Sequence, residues 1–352
     1  MRLFTVGPVM MYPDTLERSG RQLPYFRTDD FSKIMLDSEK ILKRLLDAGD
    51  DYKVAFLTAS GTGAMEATVS CLLTSSDKVL AINGGGFGKR FTEICSVHNI
   101  PCDQIVLRTG EALTKDYLQA FDGEGYSALL VNLDETSTGQ LYDIAMLSEF
   151  CKANDMYLIV DAISAFLADE ISMSRYGIDA LIISSQKALA LEPGTSMVVL
   201  SPRAYKDRVM SIKSPTYYLD LKHHILDQER GQTPFTPSVG TLLCLNDMLH
   251  AIDDMGIGEK IRRTRVLAEY FRQQAKDIGL KIPKYPLSNA VTPILFDGNA
   301  TEVYKRLNDD YDITVTPSGG DLKPNMLRVG HIGNLETSDY DALISALKEI
   351  LQ

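Results

Sequence analysis

The chain has 352 residues, 45% hydrophobic and 24% charged, with a formal net charge of −11. That balance suits a globular protein with one large core and a smaller second domain, and the negative sign disfavours nucleic acid or an anionic membrane as the main partner. Five cysteines (Cys71, Cys95, Cys102, Cys151 and Cys244) form no CxxC pair and sit in or beside apolar stretches. This is the usage expected of a reduced, cytoplasmic protein rather than of a disulfide framework or a zinc site. The first residues carry no long apolar leader, and no run approaches transmembrane length.

Residues 1–14 read as an extended arm, because Gly7-Pro8 cannot continue a helix. Phe31, Ile34, Met35, Ile41, Leu42, Leu45 and Leu46 recur at helical spacing. From residue 53 the pattern alternates. Strands are expected at Val54–Thr58, Lys78–Ile82, Ala128–Leu133, Tyr157–Val160, Ala180–Ile183 and Met197–Leu200. Helices are expected at Ala64–Leu73, Phe91–Val97 and Ile144–Ala153. Such alternation predicts an α/β architecture, a mostly parallel sheet covered by helices on both faces. Ligands bind such sheets outside the carboxyl ends of the strands. Past residue 250 the character changes to a long charged helix over Glu259–Ile278, short strands at Val291–Phe296, Ile313–Val315 and Met326–Gly330, and a last helix with Ser338 and Asp341 as its capping box. A smaller α+β domain therefore occupies residues 251–352, behind a large domain over 15–250, with the boundary between residues 245 and 258.

Odd polar groups cluster at strand ends. Ser60-Gly61-Thr62-Gly63 joins a strand to a helix; its glycines and the helix N-terminus suit a phosphate, though a tight turn has the same form. There is no GxGxxG and no GxxxxGK[ST], which disfavours a dinucleotide fold and a nucleotide P-loop. Tyr157-Leu-Ile-Val-Asp161 ends a buried strand in a carboxylate, serving either as a cap or as partner to a cationic ligand group. No His or second acid stands at ligand spacing from it, which disfavours a metal site. Glu135-Thr-Ser137-Thr-Gly139 brings hydroxyls to the same edge, and Phe87 follows the second strand. Ser184-Ser-Gln186-Lys187 ends another strand. A lysine there either snorkels to solvent or, if buried, has its pKa lowered and becomes nucleophilic. Arg328 lies in an apolar strand and needs an anion, supplied by an internal salt bridge or by a ligand carboxylate.

Taken together and in order, these motifs resemble the class V aminotransferases among pyridoxal-phosphate enzymes of fold type I. The resemblance spans nearly the whole chain. Gly7-Pro8, Ser60–Glu66, Asn83–Arg90, Glu135–Gly139, Val160–Ser164, Ser185–Leu189, Pro193–Ser196, Gln232–Pro237 and Leu327–Gly330 carry it, with Lys187 lying 26 positions after Asp161. The resemblance implies a large domain with a seven-stranded sheet and pyridoxal 5′-phosphate as cofactor. Lys187 would hold the cofactor as an imine and shuttle a proton, and Asp161 would pair with the ring nitrogen. Ser60, Gly61 and Thr62 would bind the phosphate, with Gln186 beside it. Phe87 would stack on the ring, Ile163 would pack on its other face and Ser137 would lie near its hydroxyl. Gln232 and Thr233 would reach the phosphate of a neighbouring subunit, so the resemblance implies a homodimer. Arg328 would bind the substrate carboxylate, Gly7 and Pro8 would border the substrate, and Arg27 would enter the partner's site. The implied reaction moves an amino group from an amino acid or amino-phosphonate to a small 2-oxo acid such as pyruvate or glyoxylate. A lyase, a desulfurase or a non-catalytic relative on the same scaffold is the alternative. A desulfurase needs a thiol on a C-terminal loop, and no cysteine follows Cys244.

Overall fold

The computed structural model describes residues 1–352. Strands are numbered along the chain: β1 (Arg2–Phe4), β2 (Lys53–Leu57), β3 (Val79–Asn83), β4 (Cys102–Val106), β5 (Ala128–Asn132), the short β6 (Asp134–Glu135) and β7 (Gln140–Leu141), β8 (Tyr157–Asp161), β9 (Ala180–Ser184), β10 (Ser196–Leu200), β11 (Val291–Leu295), β12 (Ile313–Pro317) and β13 (Met326–Gly330).

The large sheet has seven strands in the order β2-β10-β9-β8-β5-β3-β4. Only β10 runs against its neighbours. The inner strands are buried along their length on both faces, which is why they read as continuous apolar runs rather than as alternating ones. Separate hydrophobic clusters cover the two faces, one including Leu80, Val131, Val160 and Ile183, the other Ala81, Leu130, Ile159 and Ile182. Adjacent residues thus point to opposite sides of the sheet.

Within the large sheet, β4 is the strand that no apolar run in the sequence marks. It lies at the edge of the sheet, pairing with β3 alone, and Asp103, Gln104 and Val106 are exposed. With one inward residue, Ile105, it offers no apolar run to recognise.

The second sheet is ordered β1-β12-β13-β11. Its first strand comes from the N-terminal arm: β1 pairs in parallel with β12, and Phe4 joins a core with Phe271, Val315, Val329 and Tyr340. The expected capping box of the last helix is corrected. Glu336, not Ser338, is the N-cap of helix Thr337–Leu351, and Asp339, not Asp341, returns a bond by accepting the Glu336 N–H at 3.0 Å. The usual signature has a hydroxyl at the cap, so an acid–acid box carries no such mark in the sequence. No helix is long and apolar enough to cross a membrane.

Candidate active site

The chemistry-bearing side chains converge at the carboxyl ends of the parallel strands, with additions from the second sheet. Lys187 follows β9 and is 8% exposed. Its Nζ donates to the carbonyl of Val6, in the arm beyond β1. Burial pulls its pKa down to about 8, while Asp134 and Asp161 oppose that shift. The snorkelling alternative is thereby excluded: the amine is held inside, partly deprotonated near neutral pH. Gly7 packs directly on it. A Cβ at Gly7 would stand 2.6 Å from Lys187 Cδ, and the residue has φ +127°.

Asp161 ends β8, next to β9 in the sheet. Its Oδ1 accepts the Ile163 N–H at 2.8 Å, and burial raises its pKa to about 6. The two readings of this carboxylate are therefore compatible, since one oxygen closes the local turn and the other has no partner within the chain.

Ser60 caps helix Gly61–Leu72 by accepting the Gly63 N–H at 3.5 Å. Gly61 lies against Ile163; a Cβ there would come within 2.3 Å of Ile163 Cδ1. Thr62 accepts from Arg90 Nη1 at 3.0 Å, and the Arg90 guanidinium stands 4.7 Å from the centroid of the Phe87 ring. Gln186 accepts from Ser184 Oγ at 2.6 Å.

Phe87 is the second residue of helix Gly86–Val97. Glu135, a residue whose role the sequence did not reveal, organises that helix terminus. Its carboxylate is fully buried and accepts from Phe87 N (3.2 Å), Gly88 N (2.9 Å), Asn132 Nδ2 (2.8 Å), Ser137 N (3.1 Å) and Ser137 Oγ. Ser137 Oγ also accepts the Gly86 N–H at 3.0 Å. An anion at a helix N-terminus is favoured by the free N–H groups and the dipole. The signal was present in two consecutive acids following an apolar strand, although only the hydroxyls of that segment suggested a function. Its neighbour Asp134 is buried with neither oxygen hydrogen-bonded, and burial raises its pKa to about 8.

Arg328, in the middle of β13, is 9% exposed. It donates to the carbonyls of Thr136 (2.9 Å) and Pro317 (2.8 Å), and its Nε has no partner. It forms none of the chain's ion pairs, so the internal salt bridge is overturned. The guanidinium is fixed by neutral carbonyls, while Glu135 and Asp134 favour its charge through space without pairing with it.

Arg27, Gln232 and Thr233 form a separate group. Arg27 Nη1 donates to Gln232 Oε1 (3.1 Å) and to the Thr233 carbonyl (2.7 Å), and Gln232 Nε2 donates to Ser32 Oγ (2.7 Å). None of these residues hydrogen-bonds to the group around Lys187. Pro8 borders that group through its neighbour Gly7.

A mostly parallel seven-stranded sheet, with a buried lysine after one strand and a carboxylate ending the neighbouring one, is an α/β architecture, and its solved neighbours of the same fold are fold type I aminotransferases. A model of the aminotransferase class-V family matches residues 20–323, and the chain belongs to that family. It is 30% identical over 359 aligned positions to the "Soluble hydrogenase, small subunit" of Synechococcus sp., covering 99% of this chain and 92% of the relative. It is 27% identical to the L-aspartate–glyoxylate aminotransferase of Paracoccus denitrificans, covering 95% and 86%. Among solved structures, an aspartate aminotransferase of subgroup IV from Thermus thermophilus superposes with TM-score 0.92 at 26% identity, covering 100% and 99% of the two chains.

Proposed function

We propose that the chain transfers an amino group from an amino acid to a small 2-oxo acid such as pyruvate or glyoxylate, with pyridoxal 5′-phosphate as cofactor. One observation carries the reading: a buried amine of lowered pKa lies in a site that also holds a buried guanidinium without an anionic partner. A nucleophilic lysine and an empty carboxylate receptor are the two groups that amino-acid chemistry at Cα requires.

The residues fit the cofactor. The first N–H groups of helix Gly61–Leu72 have no partner within the helix, which suits a phosphate flanked by Ser60, Thr62 and Gln186. Phe87 and Ile163 would flank a flat ring, with Ser137 at its edge. The free oxygen of Asp161 suits a ring N–H. When bound, pyridoxal phosphate supplies an electron-withdrawing ring that stores the electron pair left at Cα. Lys187 would hold that group covalently and, once displaced by the substrate's amine, would stand free as the amine that takes the Cα proton. Arg328 orients the substrate through its carboxylate, aligning the Cα–H bond with Lys187. Gly7 and Pro8 border the substrate and keep water from the amine. Gln232, Thr233 and Arg27, which make no hydrogen bond to the group around Lys187 in their own chain, would complete the site of a second copy in a homodimer.

The test is optical. The purified protein with pyridoxal phosphate should show a visible absorption band that bleaches on adding an amino donor, and a screen over alanine, serine, aspartate and 2-aminoethylphosphonate should identify that donor. Lys187→Ala should retain phosphate-anchored cofactor but lose turnover. A protein that stays colourless with added cofactor, or a Lys187→Ala variant with full turnover, overturns the reading. Light scattering should give the mass of a dimer.

A further inference from the structure

Helix Pro13–Ser19, helix Val239–Met255, helix Ile257–Asp277 and the turn after β13 enclose a cavity of about 460 Å³. Cavities of this order hold small molecules. None of the residues assigned above to cofactor or substrate lines it. Its walls are apolar over Met248, Ile252, Leu267 and Leu335.

Lys260 is set into that wall and is 7% exposed. Its ammonium has one hydrogen-bond partner, the Tyr12 hydroxyl at 3.0 Å, and Tyr12 donates its own proton to the Gly333 carbonyl at 3.3 Å. No carboxylate pairs with it. Glu259 is taken by Arg262 and Arg263, and Asp247 lies 3.3 Å from Arg18. Arg18 Nε, which also faces the cavity, is buried and makes no hydrogen bond even so. An ammonium has three protons to donate, and a charge held against apolar side chains with most of them unpaired is costly unless an anion or water meets it. Asp14 and Asp247 stand on the same lining. They would repel a dianion such as a phosphate monoester, whereas a single carboxylate needs only the Lys260 ammonium, which no acid pairs with.

We infer that this cavity is a binding site for a free monocarboxylate with an apolar body, its carboxylate on Lys260 and its chain against Met248, Ile252 and Leu267. The occupant would touch the two long helices and the turn after β13 together, and so would stabilise their junction.

Octanoate, with about ten non-hydrogen atoms, is a probe of suitable size. Isothermal titration calorimetry of the full-length holoprotein with octanoate should show saturable binding of one molecule per chain. Octanol, which lacks the charge, should bind about tenfold or more weakly. Lys260→Met keeps an unbranched side chain one atom shorter and removes the charge, and it should lose about the same factor while leaving the cofactor absorption unchanged. Because Arg328 is another carboxylate receptor, Arg328→Leu is the necessary control and should bind octanoate at this cavity as the wild type does. Absence of saturable binding, equal affinity in wild type and Lys260→Met, or loss in Arg328→Leu alone would each overturn the inference. None of these outcomes depends on turnover, so the aminotransferase reading stands or falls separately.

Discussion

Gly7 makes the sharpest test of how the arm meets the lysine. A Cβ there would stand 2.6 Å from Lys187 Cδ, 2.9 Å from its Cε and 3.1 Å from the Gln186 carbonyl oxygen, at φ +127°. Gly194 supplies a matched control, with φ +129° and nothing within 4 Å of its hypothetical Cβ. Both alanine variants incur the backbone strain, about 1–3 kcal/mol. Only Gly7→Ala adds overpacking, about another 1–3 kcal/mol. At roughly 2 °C per kcal/mol, Gly194→Ala should melt about 2–6 °C below the wild type and Gly7→Ala about 4–12 °C below it. The difference should be larger in activity, because a lysine displaced by about 1 Å loses on the order of 100-fold in rate. Thermal unfolding of the three proteins and their rates of amino transfer would be measured side by side. If the two variants match in both melting temperature and rate, the Gly7–Lys187 contact has no part in setting the amine's position.

Further expectations concern the charged groups. Lys187 titrates in the fold at about 8, below the ordinary lysine value of about 10.4. Its neutral form is therefore gained as pH rises through 8, and condensation of the cofactor-free protein with free pyridoxal, followed by absorbance, should rise with that midpoint. Asp161→Asn removes a carboxylate that favours the ammonium, so the midpoint should fall; an unchanged midpoint would show that the two do not interact. Arg328→Leu should raise KM for amino donor and oxo acid by about 100-fold and leave half-reactions of amines without a carboxylate nearly unaffected, and Arg328→Lys should not rescue, since an ammonium lacks the planar fork. Glu135→Gln leaves several inward-pointing N–H groups facing an amide. Urea denaturation should report a loss of about 1–3 kcal/mol, together with weaker cofactor binding as Phe87 loosens.

Legibility in the sequence followed the physics of each element. The buried strands β5, β8 and β9 announced themselves because both faces need apolar residues, and polar residues at their ends stood out against that background. Asp161 and Lys187 were readable for this reason. The edge strand β4 was not, since one side of it faces water and only Ile105 is buried. Glu135 was hidden differently. Its role depends on the N-terminus of a helix begun some fifty residues earlier, and no local pattern records that juxtaposition. The partner of Arg328 could not be read from sequence at all, because the choice between an internal acid and a ligand rests on which backbone carbonyls come near it.

The arm ties these observations together. By pairing with β12, β1 fixes the start of the chain to the second sheet, which also carries Arg328 on β13. A few residues later the same arm presents the Val6 carbonyl and Gly7 to Lys187 on the first sheet. The amine and the carboxylate receptor thus belong to different sheets, and residues 2–7 are one of the connections between them, beside the bond from Arg328 to the Thr136 carbonyl. A displacement of the second sheet should reach the lysine through this segment, because the Val6 carbonyl accepts from the Lys187 amine. On this geometry, changes in the outer contacts of β1 should alter turnover even where no residue of the site is touched. The Phe4 side chain, buried against Tyr340 with ring centroids 5.1 Å apart, is the anchor that holds the segment in place.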